Sequence, residues 1–185
     1  MIAKRADPQA DRWPSQGTSG RLLADFESVY RDHADAVYRF CLAQLGNQSA
    51  AEDCAAEAFA AALAVYGRTR LSPGLIRAWL FRIARNTTID WVRRERVRKH
   101  FLDRVRPHPD GQDVESVAEL RADLHTALEA MGRLPKRDRV LVGLRAAAGL
   151  SYAEIASVMG MKENAARMAT ARALARIRME VHGDE

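Results

Sequence analysis

The sequence predicts an all-α protein with two helical domains joined by a flexible linker. Apolar residues recur at three- and four-residue steps in several separate segments, which is the pattern of amphipathic helices. No segment shows the alternation of apolar and polar residues that is typical of strands. The turn-rich segment "RPHPDGQD" interrupts the helical pattern. We therefore predict a disordered tail at residues 1–20, a first domain at 21–99, a linker at 100–115 and a second domain at 116–181, which contains a helix-turn-helix.

The composition limits the class of protein. Of the 185 residues, 48% are hydrophobic and 29% charged, so packed cores are expected. The net charge of +5 favours an anionic partner such as nucleic acid. No apolar run reaches transmembrane length, and the N-terminus lacks the apolar core of a signal peptide. Cys41 and Cys54 lack the spacing of a metal or redox motif, which predicts two small buried side chains in a reduced, cytoplasmic compartment.

Charge is distributed unevenly along the chain. Residues 22–66 carry seven acidic and two basic side chains, whereas residues 77–99 carry eight basic and two acidic ones. A second basic segment, 162–178, carries five basic side chains and one acidic one. Two basic helices beside one acidic segment predict two contacts with an anion and one contact with a different partner.

Turn and capping residues divide the first domain into three helices. A stop signal at residues 46–47 ends the first helix. Ser49 and Glu52 have the spacing of a capping box, so the second helix is predicted to start there. A loop at residues 67–74 precedes a third, arginine-rich helix that begins near Ile76.

The stretch "LSYAEIASVMGMKENAARMATARALARIR", residues 150–178, has the features of a helix-turn-helix. Ser151 and Glu154 have capping-box spacing, and Gly160 suits the left-handed turn that ends a helix. The basic second helix favours DNA binding, while a plain helical hairpin inside a core is the alternative. Its predicted outer positions are Glu163, Asn164, Arg167, Met168 and Ala171, and its predicted inner positions are Ala166, Ala169, Ala173, Leu174 and Ile177.

Four segments together resemble a bacterial sigma factor of the extracytoplasmic-function (ECF) type. They are "AEDCAAEAFAAAL" (51–63), "RAWLFRIARNTTIDWVRRER" (77–96), "AMGRLPKRDRVLVGLRAAAGLSYAEIASVMGM" (130–161) and "RALARIR" (172–178). The resemblance covers about residues 22–180. It implies a protein that binds core RNA polymerase and directs promoter recognition and transcription initiation, without a cofactor or a small-molecule substrate. It implies as partners the β′ clamp helices and β flap of polymerase, promoter DNA and an anti-sigma factor.

The resemblance also implies candidate residues in the first domain. The acidic helix would bind polymerase through Glu52, Asp53, Glu57 and Phe59, and its charge suits a basic partner surface. The alternative for these carboxylates is a favourable position near a helix N-terminus. The loop at residues 67–74 matches the place where the family captures an unstacked base.

The third helix would approach the minus-ten element through Arg85, Asn86, Arg93 and Arg94. Asp90 is expected to pair with Arg94 or Asn86 on the helix surface, because a carboxylate repels phosphate. Of the two tryptophans in this helix, Trp79 falls on the apolar stripe and is predicted to be core, whereas Trp91 leaves core and stacking roles open.

The second domain would bind the minus-thirty-five element. The residues implied are Lys162, Glu163, Asn164, Arg167 and Arg172. Arg172, Arg176 and Arg178 are predicted either to hold phosphates or to be solvated. Ala165 and Ala166 stand where the family has threonine and valine, and an expected arginine is Ala169 or a neighbour. A changed promoter preference is therefore expected, since one bidentate arginine contributes about 1–3 kcal/mol of discrimination.

Three other functions compete with this prediction. A stand-alone helix-turn-helix regulator would explain residues 116–181 but would leave "WLFRIARN" without a role. A degenerate paralogue that binds polymerase or an anti-sigma factor without initiating is compatible with the alanine-rich second helix. An enzyme is disfavoured because there is no glycine-rich phosphate loop and the histidines lack metal-ligand or triad spacing. Those histidines are His33, His100, His108, His125 and His182.

Overall fold

The described part of the protein is built from helices. The computed structural model describes the backbone of residues 16–69, 71–102 and 118–182, and the side chains of 25–69, 71–98 and 124–180. The helices are α1 (Gln16–Leu45), α2 (Gln48–Tyr66), α3 (Pro73–Leu102), α4 (Ala118–Arg133), α5 (Lys136–Val142), the π-helix Gly143–Ala147, α6 (Tyr152–Met159) and α7 (Glu163–His182). These ranges contain no strand, so the all-α prediction is confirmed. None of the described helices is long and apolar enough to cross a membrane.

The predicted tail and linker both overlap helices. Residues 16–20 of the predicted tail belong to α1, and the remainder of that tail lies outside the described residues. At the linker, α3 continues to Leu102, so the helix takes up the first residues of the predicted 100–115 segment. Residues 103–115 lie outside the described part of the chain. The helical pattern was interrupted in the sequence by prolines and a glycine, and α3 ends five residues before Pro107.

The starts of α2 and α3 also differ from the prediction. Asn47 caps α2 instead of Ser49, because its extended backbone lets the side chain accept a 2.8 Å hydrogen bond from the amide of Ala50. The preceding Gly46 has a φ of +69°, and this left-handed turn places Asn47 at the helix entrance. The predicted loop at 67–74 ends two residues early because α3 begins at Pro73. Proline is favoured at the first position of a helix, where a backbone N–H would have no partner within the helix.

Helices α1, α2 and α3 form the first packing unit. Phe40 of α1 meets Phe81 of α3 edge to face, with 5.8 Å between ring centroids. Alanines allow α2 to approach closely, and those with no exposed surface are Ala51, Ala58 and Ala62. Cys41 and Cys54 are both fully buried between α1 and α2, as predicted. A hydrogen bond with the Cys54 thiol, followed by burial, raises the pKa of Cys41.

The second packing unit contains the predicted helix-turn-helix. Ser151 and Glu154 form both hydrogen bonds of the capping box at the start of α6. Gly160 ends α6 with a φ of +65°, and the next amide, of Met161, donates back to the carbonyl of Ala156. Both features confirm the prediction made from local sequence. Helix α7 then packs on α6 through its fully buried Ala166.

The two units pack directly against each other. The π-helix rests on α1 at Gly143, where an added Cβ would lie 2.4 Å from Nε2 of Gln44 and 3.3 Å from the ring of Phe40. Gln44 is itself buried and donates from Nε2 to the carbonyl of Arg139 at 3.2 Å. A glycine is therefore required for this close approach between the units. A hydrophobic core runs through both of them.

Candidate nucleic-acid interface

The outer face of α7 carries the residues predicted for it. Of the described side chains, Lys162, Glu163, Asn164, Ala165, Arg167, Met168, Ala171 and Arg172 are exposed. Ala166 and Ala173 are fully buried, and Ala169, Leu174 and Ile177 are half-buried, as the predicted inner positions require. Thr170 was missed because a polar residue was not expected inside. It is fully buried, and its hydroxyl has no hydrogen-bond partner among the described residues.

Arg167 is held in place by two neighbours. Its Nη2 lies 3.4 Å from Oε1 of Glu163, one turn earlier on α7. Its guanidinium also lies over the ring of Tyr152, 5.4 Å from the centroid. Arg145 stacks on the same ring at 4.9 Å and donates from Nη1 to the carbonyl of Leu150. Tyr152 thus holds two arginines beside the start of α7, and nothing in the local sequence pattern indicated this.

The arginines farther along α7 differ in the contacts that their side chains make. Arg172 is exposed, and its Nε is 3.4 Å from the carbonyl of Met168. Arg176 forms an ion pair with Asp138 of α5, whose carboxylate is largely buried. Arg176 therefore contacts α5 and is not simply solvated, and its contact with phosphate stays a prediction. Arg178 remains exposed.

On α3, the candidate residues lie along the half of the helix that follows Ile83. Arg85 is half-buried, and its Nη1 is 3.4 Å from Oδ1 of the exposed Asn86. Arg93 is exposed and lies 3.7 Å from Asp90, at a spacing of three residues. This pair corrects the expectation that Asp90 would pair with Arg94 or Asn86. Trp79 is half-buried against the core, 6.1 Å from the ring of Tyr66, as predicted; Trp91 also packs on the core.

Arg94 pairs with a residue of a different helix. Its Nη2 lies 2.5 Å from Oε2 of Glu57 on α2, and this hydrogen bond raises the pKa of Arg94. Glu57 was a candidate for polymerase and Arg94 a candidate for DNA. The structure brings the two together, so each partly neutralises the other.

The polymerase candidates on α2 fall into two groups. Glu52 and Asp53 are exposed beside each other, whereas Phe59 is only 6% exposed. The ring of Phe59 lies 4.7 Å from that of Tyr30, and Tyr30 is 52% exposed. These two rings and Glu52 line a surface cavity of about 360 Å³ between α1 and α2. Phe59 therefore forms the inner wall of this cavity, and Tyr30 is the exposed aromatic, which the sequence analysis missed.

Two arginines in the first half of α3 contact the second packing unit. Arg77 donates to the carbonyl of Ala148 at 2.6 Å and lies 3.6 Å from Oε1 of Glu154. Arg82 donates to the carbonyl of Ser157 at 2.6 Å. The basic charge of α3 is thus divided. The first part contacts the second packing unit, whereas Arg93, Arg94 and Arg98 of the second part pair with acids of α2 and α3.

The chain matches two family models, Sigma-70 region 2 over residues 29–98 and Sigma-70 region 4 over residues 124–177. The ECF RNA polymerase sigma factor SigE of Mycolicibacterium smegmatis is 36% identical over 147 residues, which are 76% of this chain and 55% of that protein. BldN of Streptomyces coelicolor, also named an ECF sigma factor, is 33% identical over 80% of this chain and 57% of its own. The chain spans little more than half the length of these two relatives. The RNA polymerase sigma-E factor of Streptomyces antibioticus is 30% identical over 88% of this chain and 87% of its own.

Solved structures share the fold. CnrH, in a complex with the cytosolic domain of CnrY, matches 92% of this chain and 96% of its own, with a TM-score of 0.67 and 23% identity. The sigma factor RpoE of Bartonella quintana, in a complex with the anti-sigma factor NepR, matches 87% of this chain with a TM-score of 0.68 and 23% identity. It is matched over 99% of its own chain. The arrangement of helices is therefore one that other proteins adopt.

Proposed function

Because the chain belongs to the ECF family of RNA polymerase sigma factors, we propose that it binds core RNA polymerase and directs it to promoters. The observation that carries the proposal is the presence of both family regions in one chain, each with an exposed charged surface. Such a protein acts in the cytoplasm and has no catalytic site of its own. A regulator of transcription that carried only the second region would leave the first without a role.

The polymerase contact is assigned to the exposed acidic surface of α2. Glu52 lines the cavity formed by Tyr30 and Phe59, and the exposed Asp53 follows it on α2. Carboxylates around an aromatic cavity suit a basic partner that inserts an apolar side chain, since charge guides the approach and the buried ring supplies affinity. We assign the β′ clamp helices to this surface and the β flap to the second domain.

The minus-ten contact is assigned to the half of α3 that carries Arg85, Asn86, Arg93 and Arg94. Asn86 offers an amide that can pair with a base edge, and the exposed Arg93 offers a charge for phosphate. Arg94 contributes its full charge to DNA only when it leaves Glu57. This pair links the polymerase surface of α2 to the DNA surface of α3.

The minus-thirty-five contact is assigned to the start of α7. Lys162, Glu163 and Asn164 are exposed at the N-terminus of α7, the helix that would enter the major groove. Arg167 is oriented by Glu163 and by the ring of Tyr152, which reduces the entropy lost when it binds. Ala165, Ala171 and Ala175 give the outer face few hydrogen-bonding groups, so this surface depends more on phosphate contacts than on bases.

The two domains must separate for both contacts to form at once. The minus-ten and minus-thirty-five elements are about 25 base pairs apart, which is roughly 85 Å of duplex. In the structure, α3 is joined to the second packing unit by the hydrogen bonds of Arg77 to Ala148, ahead of α6, and of Arg82 to Ser157 of α6. The packed arrangement is therefore a closed form, and promoter binding requires an open one.

An anti-sigma factor is proposed to control this opening. The structures of CnrH and of RpoE from Bartonella quintana were determined with CnrY and with the anti-sigma factor NepR. In the present chain, an apolar groove of about 310 Å³ lies between α1, α4, the π-helix and α7, and its walls include Leu42, Leu128, Met131 and Ile177. Such a groove suits the apolar face of an amphipathic helix.

The proposal is tested by binding to purified core RNA polymerase. Replacing Glu52 and Asp53 with arginine should weaken binding at least tenfold, because both charges at the contact are reversed. The matched control replaces Asp25 and Glu27, two exposed acids of α1, with arginine, and this variant should bind polymerase as the wild type does. A wild-type chain that binds promoter DNA but not core polymerase would identify a stand-alone regulator instead.

A further inference from the structure

A basic cleft lies between the two domains, where the second half of α3 faces α5. Its volume is about 130 Å³, and its polar lining consists of Gln44, Thr88, Arg96, Lys136 and Arg139. Three of these five are cations, and no acidic residue lines the cleft. Gln44, Thr88 and Arg96 belong to the first domain, whereas Lys136 and Arg139 belong to the second.

The cations of this cleft have no acidic partner among the described residues. None of the three cations forms an ion pair with a described carboxylate. Burial and the nearby charge of Arg96 lower the pKa of Arg139. The closed form therefore brings like charges together, which is unfavourable unless an anion joins them.

The hydrogen bonds around Arg139 leave one of its three guanidinium nitrogens without a described acceptor. Its Nη2 donates to the carbonyls of Gly132 at 2.5 Å and Leu134 at 3.3 Å, and its Nη1 lies 3.4 Å from the carbonyl of Gln44. Its Nε is buried and has no partner among the described residues. A buried donor without a partner is uncommon in folded proteins and costs stability.

We propose that this cleft binds a phosphate-sized oxyanion, and that the bound anion holds the two domains in the closed form. The ligand is inorganic phosphate or the terminal phosphate of a nucleotide, since the cleft has room for a phosphate group but not for a nucleoside. Arg96, Lys136 and Arg139 supply the contacts. Thr88 and Gln44 also line the cleft, and the Thr88 hydroxyl and one N–H of the Gln44 amide already donate to the carbonyls of Arg85 and Arg139.

This anion would oppose promoter binding, because it joins domains that must separate on DNA. That consequence rests on the proposed function, but anion binding does not. The two are tested separately, since phosphate binding is measured on the free chain with neither DNA nor polymerase present. A chain that binds phosphate yet fails to bind polymerase would refute only the proposed function.

The experiment measures the thermal midpoint of the full chain by tryptophan fluorescence while sodium phosphate replaces sodium chloride at constant ionic strength. At ten times the dissociation constant, phosphate should raise the midpoint by about 3–6 °C. The variant Arg96→Gln/Lys136→Gln should lose this rise. If that variant does not fold, Lys136→Gln alone, at an exposed side chain, should reduce the rise.

The control Arg31→Gln/Arg137→Gln removes the same charge from exposed sites on the same two domains and should keep the full rise. ATP at equal concentration distinguishes the sources. A rise with ATP as large as that with phosphate identifies a nucleotide's terminal phosphate as a ligand, whereas a rise with phosphate alone identifies the inorganic ion. Loss of the rise in the control, or no rise with either ligand, would overturn the proposal.

Discussion

Arg94 of α3 donates a 2.5 Å hydrogen bond to Glu57 of α2, across 37 residues of sequence. Glu57 was expected at the polymerase surface and Arg94 at the DNA surface. The pair therefore connects two surfaces that would otherwise act separately. If polymerase draws Glu57 away, the charge of Arg94 is no longer paired and can bind a phosphate of the promoter.

Glu57→Gln is expected to release Arg94 and to strengthen binding to minus-ten DNA. The salt dependence should become steeper, by about 0.7–0.9 in the slope of log K against log salt, as expected for one added phosphate contact. Fluorescence anisotropy over a salt series measures both quantities. Glu27→Gln, which breaks the exposed pair with Arg31 on α1, is the matched control and should leave both unchanged.

Replacing Arg93 and Arg94 together with alanine is expected to weaken open-complex formation. The slope of log K against log salt should fall by about 1.4–1.8 if both arginines hold phosphates. Permanganate footprinting of the melted promoter at several salt concentrations provides the measurement. An unchanged slope would show that neither arginine holds a phosphate. The control Arg31→Ala/Arg39→Ala, at two exposed arginines of α1, should leave the slope unchanged.

Gly143→Ala is expected to loosen the closed form. The new methyl group displaces the amide of Gln44, which then loses its hydrogen bond to the carbonyl of Arg139. Overpacking and the lost hydrogen bond should together reduce the free energy of unfolding by about 1–3 kcal/mol. Urea unfolding checks the stability, and small-angle scattering should show a larger radius of gyration.

Gly132→Ala is the control for this substitution. No atom lies within 4 Å of the added Cβ at Gly132, and the residue is in α4, so alanine should be neutral or stabilising by up to about 1 kcal/mol. Equal effects of the two alanines would contradict the close approach at Gly143.

The stability of the closed form is expected to fall in mild acid because of His33. Burial, followed by the charge of Arg77, lowers the pKa of His33 below 6.5, although Asp32 and Glu154 oppose the shift. The unfolded chain therefore binds a proton more readily than the folded chain. The contribution of neutral His33 to the free energy of unfolding is fully present above pH 6.5 and is lost as the pH falls through the lowered pKa.

Urea unfolding between pH 5 and pH 8 measures this effect. His33→Gln should flatten the decline, whereas His125→Gln, at an exposed position of α4, should retain it. The same decline in all three proteins would assign the acid sensitivity to other groups.

The sequence predicted those features that depend on nearby residues. The capping box from Ser151 to Glu154 spans four residues and the turn depends on Gly160 alone, so both can be recognised in a short stretch of sequence. The exposed face of α7 followed from helical periodicity alone. The cap at Asn47 was missed because Ser49 satisfies the same local rule, and only the left-handed Gly46 decides between them.

Contacts between distant residues could not be predicted in this way. Arg82 and Ser157 are 75 residues apart, and no pattern in the sequence indicates that a basic side chain of α3 binds a carbonyl of α6. The burial of Phe59 and the pairing of Arg176 with Asp138 likewise depend on how helices pack. The domain boundaries and the candidate residues remain predictions that binding experiments must test.

Run-off transcription with core polymerase and a randomised promoter library tests whether the chain directs initiation. We expect the chain to enrich promoters with two separated elements, and Arg93→Ala/Arg94→Ala to reduce transcription from them. If no promoter is enriched over core polymerase alone, the chain does not direct initiation, and the proposed function is wrong.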